Sequence, residues 1–340
     1  MPRNRKGTDS DFMTAIIPEV RFAEENPGDK GVIMILTVCT SPCVDVTIEV
    51  DSLNVGQMNF VRSKQLTFTG KAINVAIGVR RLGGEVLTTG FMYNENGAMF
   101  GRTLDEEDVP YSFVWSNGRV RENYKFIDKK YMLTEVNDVG ERVSDEKLQE
   151  LLHKIKTLSQ KADVTVISGG LPRGADESYY GELFRAVDPR SLKVVDAEGA
   201  KLFSSLEVGI DLVKPNREEL EQAIGRELND RADLISGCWE LLDRGAKTVL
   251  LSLGKEGAII TDGHRNYYCK SINVAINSTV GAGDGMVAAC ALKMQEGAPL
   301  PEILRAGVAA GTATVTTFTS TSFAKEKYDE IYKTLTVTEI

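Results

Sequence analysis

Two kinds of apolar pattern alternate along the chain, and together they predict an α/β fold. The stretch VIMILTVC at 32–39 is a continuous apolar run, which is typical of a strand that a parallel sheet buries on both faces. From residue 144 onward, further short apolar runs alternate with segments that have the period of amphipathic helices. Strands that alternate with helices imply a mostly parallel sheet that is covered on both faces.

Residues 43–68 and 111–136 have a different pattern, in which apolar and polar residues alternate. Such alternation is typical of strands that have one face in water. The pair Asn117-Gly118 lies between two alternating runs and predicts a β-hairpin. We therefore expect the two blocks to meet as a small second sheet beside the main one.

Composition narrows the class of protein and its partners. The chain has 340 residues, 42% of them hydrophobic, which suits one large α/β domain at 32–340. We expect residues 1–31 to be an N-terminal extension that is partly disordered. A net charge of -9 argues against nucleic acid and anionic membrane as partners, and no apolar run is long enough to predict a membrane span. Five scattered cysteines indicate reduced thiols in a cytoplasmic protein.

The segment NSTVGAGDGM at 277–286 places one carboxylate, that of Asp284, in a glycine-rich turn that leads into an apolar helix. Backbone N–H groups at a helix N-terminus attract anions, and glycines let the backbone approach a ligand closely. A carboxylate in such a site repels the anion unless it has a task of its own. Taking a proton from an attacking hydroxyl during phosphoryl transfer is such a task. The alternative is that Asp284 simply caps the helix.

The same segment resembles the second signature of the ribokinase/PfkB superfamily of sugar kinases. The stretch TGKAINVAIGVRRLGGEVLTTGF at 69–91 is similar to the first signature. Three shorter motifs follow in the order and spacing of the family, namely VISGGLPRG at 166–174, LVKPNREEL at 212–220 and VLLSLGKEGA at 249–258. The resemblance implies a ribokinase-like three-layer α/β/α fold with a mostly parallel central sheet, and it implies that the small second sheet is a lid.

Within the superfamily, SPCVDVTIEV at 41–50 and VRENYK at 120–125 are most similar to the 1-phosphofructokinase and tagatose-6-phosphate kinase branch. This branch implies ATP-dependent phosphorylation of a hydroxyl on a phosphorylated ketohexose, fructose 1-phosphate or tagatose 6-phosphate. Two alternatives remain open. The chain is a kinase of a non-phosphorylated sugar or nucleoside, or it is a sugar-binding or regulatory homologue without turnover.

For the catalytic end, the resemblance implies that Asp284 is the general base. It implies that the backbone at Gly281, Ala282 and Gly283 forms the anion hole for the transferred phosphoryl group. Losing one donor of such an anion hole typically lowers the rate by about 10²- to 10³-fold.

For the sugar end, the resemblance implies hydrogen bonds from sugar hydroxyls to Asp45 and Asn74. Gly70 and Lys71 would line the site, and Arg121, beside Asn123, would pair with the phosphate that the sugar already carries. Strand alternation places Arg119 and Lys125 on the face of Arg121, where they could assist it or form a solvated basic face. Five positions depart from the family pattern near the sugar and leave its identity open: Ser41, Thr69, Ala72, Tyr93 and Gly170.

For the nucleotide end, the resemblance implies that Asn216 and Glu219 organise Mg²⁺ and its waters, since a spacing of three puts both on one face of a helix. The alternative is a helix N-cap followed by a surface glutamate. Ser252, Gly254 and Lys214 would bind ATP. The lids of the family often pair between subunits, so the resemblance also implies a homodimer through the lid.

Overall fold

The computed structural model describes residues 34–317 and 322–340. Over these residues the fold is the expected α/β architecture, with a mostly parallel central sheet and a smaller second sheet. The extension that we predict at 1–31 lies outside the described residues.

The central sheet has ten strands among the described residues. From one edge to the other they are β14 (Val337–Glu339), β13 (Asn266–Cys269), β12 (Ala258–Thr261), β11 (Val249–Ser252), β10 (Leu212–Val213), β9 (Leu192–Asp196), β8 (Val164–Ser168), β1 (Ile35–Cys39), β4 (Val86–Tyr93) and β5 (Tyr111–Ser116). The strands from β11 to β5 are parallel to one another, and β12 to β14 are antiparallel additions. The carboxyl ends of the parallel strands therefore share one edge, which is where open α/β sheets bind ligands.

The helices of the described residues form two layers. One layer contains α1 (Lys71–Arg81), α8 (Ala282–Gln295), α9 (Leu300–Thr314) and α10 (Lys325–Thr334). The remaining helices are α2 (Ala98–Glu106), α3 (Asp145–Leu158), α4 (Tyr179–Ala186), α5 (Gly199–Leu206), α6 (Arg217–Ile224) and α7 (Arg231–Asp243). None of the helices in the described part of the chain is both long and apolar enough to cross a membrane.

The second sheet, which we call the lid, consists of β3 (Val61–Thr69), β2 (Cys43–Val50), β6 (Arg121–Ile127) and β7 (Leu133–Asn137), in that spatial order. Strands from both alternating blocks meet in it, as predicted. The assignment of residues 111–116 to the lid is wrong, because β5 pairs with β4 at the edge of the central sheet. An edge strand of the main sheet is also half-buried, so its alternation does not distinguish it from a lid strand.

The hairpin predicted at Asn117-Gly118 is likewise wrong. The strands on either side of this pair belong to different sheets, so the turn carries the chain from the central sheet into the lid. Gly118 has a φ of 103°, in the region that favours glycine, and its N–H donates to Oδ1 of Asn94 at 3.2 Å. The sequence signal for a tight turn is therefore correct, but it does not fix the partner of the following strand.

Helices α1 and α8 approach each other closely at Gly78. A Cβ atom at this position would lie 2.7 Å from Cβ of Ala288, which is closer than two carbon atoms pack. Both helices begin at the carboxyl edge of the central sheet, α1 with Lys71 and α8 just before Asp284. This close packing brings the first turns of the two helices together.

Candidate active site

The glycine turn forms the N-terminus of α8. Gly281 is the N-cap residue, with a φ of 80° in the left-handed region that glycine tolerates. No side chain of the described residues caps this helix, and the N–H of Ala282 donates to the carbonyl oxygen of Thr279 only over a long 3.4 Å. The N–H groups at this helix end are therefore suited to an anion. A Cβ at Gly283 would lie 3.3 Å from Nζ of Lys214. A cation therefore lies directly beside the turn.

The carboxylate of Asp284 lies in the first turn of α8 and is held by α1. Its Oδ2 accepts a hydrogen bond from Nδ2 of Asn74 at 2.8 Å, and its residue is only 6% exposed. The Oδ1 of Asn74 accepts from the hydroxyl of Thr69 at 2.8 Å, which fixes the orientation of the amide. Because Gly281 is the N-cap residue and Asp284 lies inside the first turn, the interpretation of Asp284 as a helix cap is wrong. Asn74 orients the carboxylate, and its predicted contact with a sugar hydroxyl stays a prediction.

A second buried carboxylate, Asp196 at the end of β9, was not predicted. Its Oδ2 lies 3.3 Å from Nζ of Lys71 and its Oδ1 lies 3.3 Å from Nζ of Lys214. Burial raises the pKa of Asp196, but Lys214 and Lys71 outweigh burial and hold the pKa below its ordinary value. The pKa of Lys71 is raised, chiefly by Asp196. Asp196 thus fixes both lysines beside the glycine turn.

The environment of Asp284 makes it a stronger base than an ordinary aspartate. Burial, followed by the charge of Asp196, raises its pKa to about 6, while Lys71, Asn74 and Lys214 oppose the rise. A carboxylate with this pKa is mostly ionised at neutral pH, and it takes up a proton more readily than a solvated one. These are the properties of a general base.

Gly70 joins lid strand β3 to helix α1. A Cβ at this position would lie 2.7 Å from Sγ of Cys39, so no larger residue fits without a shift. Lys71 follows it as the first residue of α1 and keeps 44% of its side chain exposed. Its ammonium group therefore reaches both the buried Asp196 and the open edge of the sheet.

On the lid, four polar side chains of β2 and β6 form one network. Nη1 of Arg121 donates to Oδ1 of Asn123 at 3.1 Å, and Nδ2 of Asn123 donates to Oδ1 of Asp45 at 3.3 Å. Nζ of Lys125 lies 2.7 Å from Oδ2 of Asp45. The parallel register pairs Asp45 with Asn123, so these side chains share one face of the lid.

Arg121 keeps a donor without a partner. Its Nε is buried and has no hydrogen bond among the described residues, which suits an arginine that receives an anionic ligand. Arg119 is exposed and pairs with Glu95 and Glu122 instead. The alternative of a solvated basic face is wrong for Lys125, whose side chain is only 14% exposed.

At the nucleotide end, Asn216 and Glu219 form a capping box at the start of α6. Oδ1 of Asn216 accepts from the N–H of Glu219, and Oε2 of Glu219 accepts from the N–H of Asn216, both at 2.8 Å. The N-cap alternative thus describes the local structure, and it leaves Oε1 of Glu219 outside the cap. The backbone of Asn216 also forms an isolated β-bridge with that of Ser252. The two residues border a cleft of about 250 Å³. The cleft is lined by Asn216, Arg217, Glu218, Leu234, Ser252, Leu253, Gly254 and Glu256.

The described residues contain no group of three or more histidine, cysteine, aspartate or glutamate side chains that could hold a metal ion directly. Glu219 nevertheless lies close enough to Lys71 to raise the pKa of its ammonium group. Mg²⁺ usually keeps several waters and takes only one or two carboxylates in addition to substrate phosphates. The residues present therefore fit a water-mediated role of Glu219.

A larger cleft, of about 430 Å³, lies elsewhere. It adjoins the turn at 262–265 between β12 and β13, next to the start of α9. Because β12 is antiparallel to β11 and pairs Thr261 with Val249, this turn lies at the amino edge of the parallel strands. The predicted site residues lie at the opposite, carboxyl edge.

Comparisons with known proteins agree with this arrangement. Residues 35–327 match the family described as pfkB family carbohydrate kinase. A D-tagatose-1-phosphate kinase of Bacillus licheniformis is 32% identical over 83% of this chain and 92% of the relative. A 1-phosphofructokinase of Vibrio cholerae serotype O1 is 29% identical over 75% of this chain and 80% of the relative.

A solved structure of phosphofructokinase-2 from Escherichia coli, in complex with substrates and products, is also similar. It superposes with a TM-score of 0.83 at 28% identity, over 88% of this chain and 99% of the other. The chain therefore belongs to the pfkB family of carbohydrate kinases, and it is a sugar kinase.

The raised pKa of Asp284 predicts a pH-dependent effect of the substitution Asp284→Asn on stability. A carboxyl group whose pKa is higher in the folded state favours folding when it is protonated, and this contribution is lost as pH rises from about 4 through about 6. Asp284→Asn should leave the free energy of unfolding nearly unchanged at pH 4 and raise it at pH 8, by about 1–3 kcal/mol.

Urea unfolding of both proteins across this pH range measures the effect. Asp262→Asn, at an aspartate whose pKa is lowered, serves as the control and should show no gain at pH 8. A constant difference between Asp284→Asn and wild type from pH 4 to pH 8 would contradict the assigned pKa.

Proposed function

We propose that this kinase transfers the terminal phosphoryl group of ATP to a hydroxyl of a phosphorylated ketohexose. The observation that carries the proposal is the buried carboxylate of Asp284, held by Asn74 in the first turn of a helix with an uncapped glycine N-terminus. The two curated relatives are named for ketohexose phosphates. Fructose 1-phosphate and the phosphates of tagatose are therefore the candidate acceptors.

Asp284 acts as the base. It accepts the proton of the acceptor hydroxyl while the hydroxyl oxygen bonds to the terminal phosphorus, and the bond from that phosphorus to the bridging oxygen of ADP breaks. The hydrogen bond from Asn74 to Oδ2 fixes the orientation of the carboxylate, and both carboxylate oxygens keep lone pairs that can receive the proton.

The transferred group carries negative charge, which the turn at Gly281, Ala282 and Gly283 stabilises through its backbone N–H groups. Lys214, beside Gly283, and Lys71, at the start of α1, add positive charge at the same edge. Because both lysines are already held by Asp196, little reorganisation is needed when the phosphate arrives.

ATP binds along the cleft that contains Asn216, Ser252 and Gly254. This cleft lies at the carboxyl end of β11. Glu219, through water, and the ATP phosphates would hold Mg²⁺, which would neutralise charge on the phosphates.

The sugar binds beneath the lid. Asp45 accepts hydrogen bonds from sugar hydroxyls, and Arg121 pairs with the phosphate that the sugar carries, with Asn123 linking the two. A chain of net charge -9 needs such a local cation to bind an anionic sugar. Closure of the lid excludes water and so limits ATP hydrolysis.

The distal edge of the lid supports a homodimer. The loop after β2 and the turn after β6 lie at the same edge, because β2 and β6 are parallel. Both expose large apolar side chains that form what we call the lid patch: Val55, Met58, Phe60, Tyr131 and Met132. A group of exposed apolar side chains at one edge is typical of an interaction site, and we propose that a second copy of the lid covers it. All five cysteines are unpaired, which supports a reducing, cytoplasmic location.

Substitution of the proposed base tests the function. Asp284→Asn should lower turnover of sugar phosphates by about 10²- to 10⁴-fold, because it removes the proton acceptor, while ATP binding stays nearly unchanged. An ATP-coupled assay with a panel of ketohexose phosphates measures turnover, and calorimetry measures the Kd for ATP. In wild type, kcat/KM should rise with pH through about 6, where Asp284 ionises. Asp262→Asn, at the far edge of the sheet, is the matched control; an Asp284→Asn enzyme with near-normal turnover would refute the assignment.

Arg121→Gln separates a phosphorylated acceptor from a neutral one. A charge-assisted hydrogen bond contributes about 1.5–3 kcal/mol, so kcat/KM for the sugar phosphate should fall by roughly 10- to 100-fold. Weak turnover of the unphosphorylated sugar should hardly change. Arg119→Gln removes the same charge from an exposed neighbour and should have little effect. If Arg121→Gln leaves both acceptors unaffected, the chain is a kinase of a non-phosphorylated sugar or nucleoside.

Charges placed in the lid patch test the dimer. Phe60→Glu combined with Met132→Glu should convert a dimer into monomers, because paired lids would then bury four carboxylates. Size-exclusion chromatography with light scattering measures the mass. Trp239→Glu changes an exposed aromatic residue on α7, outside the lid, and should leave the mass unaltered. A monomeric wild type at micromolar concentration would exclude the lid dimer.

A further inference from the structure

Asp45 and Lys125 form a buried ion pair inside the lid. Nζ of Lys125 lies 2.7 Å from Oδ2 of Asp45, and the two side chains are only 14% and 6% exposed. The other carboxylate oxygen, Oδ1, accepts from Nδ2 of Asn123 at 3.3 Å. Both oxygens of Asp45 are thus fixed by neighbours on β6, before any ligand is bound.

The stability of the lid does not explain why this ion pair is buried. A buried ion pair contributes little net stability, because the cost of removing two charges from water offsets their attraction. A second lysine–aspartate pair, Lys129 with Asp51 at 2.9 Å, lies just past the ends of the same two strands. Both members of that pair are more than half exposed, with 56% and 64% of their side chains in solvent. The lid therefore accommodates such a pair at its surface but buries the one beside Arg121.

The pairing decides which cation remains available. Arg121 lies on the same face of β6 as Asn123 and Lys125, and its guanidinium is linked to Asp45 through Asn123. Without Lys125, the carboxylate of Asp45, which Asn123 links to Arg121, would lose its cation partner. With Lys125 in place, its ammonium group balances the negative charge of Asp45. Nε of Arg121 stays without a hydrogen-bond partner among the described residues.

We propose that Lys125 is a positioning residue that fixes the carboxylate of Asp45 toward the sugar and keeps Arg121 free for the sugar's phosphate. The proposal rests on the proposed function, in which Asp45 and Arg121 bind the acceptor. Lys125 acts through Asp45 and does not itself touch the substrate. Its loss should therefore weaken acceptor binding without slowing the chemical step.

The test compares Lys125→Met, Asp45→Asn and the double variant by steady-state kinetics, with the acceptor that the wild type turns over best. Lys125→Met should raise KM for the acceptor by about tenfold or more, as expected for losing a charge-assisted contact. Its kcat should stay within about threefold of wild type, and KM for ATP should not change. In the Asp45→Asn background, Lys125→Met should raise KM by less than about threefold, because residues that act as one unit are not additive.

Two further variants serve as controls. Lys125→Arg retains the charge and should restore most of the acceptor affinity, and it keeps the test available if Lys125→Met does not fold. Lys129→Met removes the exposed ion pair just past the ends of β2 and β6. It should leave KM for the acceptor and KM for ATP unchanged.

Three results would overturn the proposal: an unchanged acceptor KM in Lys125→Met, a fall in kcat at constant KM, or losses that multiply in the double variant. Multiplying losses would mean that Lys125 contacts the substrate directly. A wrong assignment of the acceptor is recognised separately, because it shows in the substrate panel of the wild type. It leaves the comparison of variants intact, since Asp45 is proposed to bind hydroxyls that any sugar carries.

Discussion

Two buried carboxylates share the carboxyl edge of the central sheet, and the unequal distribution of cations between them determines the chemistry of the site. Asp196 forms ion pairs with both nearby lysines, Lys71 and Lys214, at 3.3 Å each, and stays ionised. Asp284 receives a neutral amide instead, and its pKa rises to about 6. Pairs of acids whose pKa values are pushed apart in this way divide their roles. In the function that we propose, one fixes the cations that attract phosphate, and the other accepts the proton of the acceptor hydroxyl.

Helix α1 maintains this division because it supplies a partner to each carboxylate. Lys71 at its first position pairs with Asp196, and Asn74, one turn later, donates to Asp284. Residues three apart lie on one face of a helix, so both contacts depend on one orientation of α1. The close approach at Gly78 holds that orientation against α8. A shift of α1 would therefore disturb both carboxylates together.

The sequence pointed to Asp284, the base that we propose, because glycines, a carboxylate and an apolar helix occur within one short segment. Asp196 carries no such local signal, since a single aspartate at the end of a strand gains its meaning only from lysines that the fold brings from 125 and 18 positions away. The alternating pattern placed Lys125 on the correct face of its strand but did not show that Asp45 lies opposite. For the same reason β5 was assigned to the wrong sheet: alternation reports exposure, and both sheets have half-exposed strands.

The contacts also connect the lid to the base. Thr69, the last residue of lid strand β3, donates to Asn74, and Asn74 donates to Asp284. Asp45, for which we propose contacts with the sugar, lies on the neighbouring strand β2, which pairs with β3 along its length. The orientation of the Asp284 carboxylate therefore depends on the end of a lid strand. A displacement of the lid that moved Thr69 would change the orientation of the Asn74 amide and, through it, that of the carboxylate.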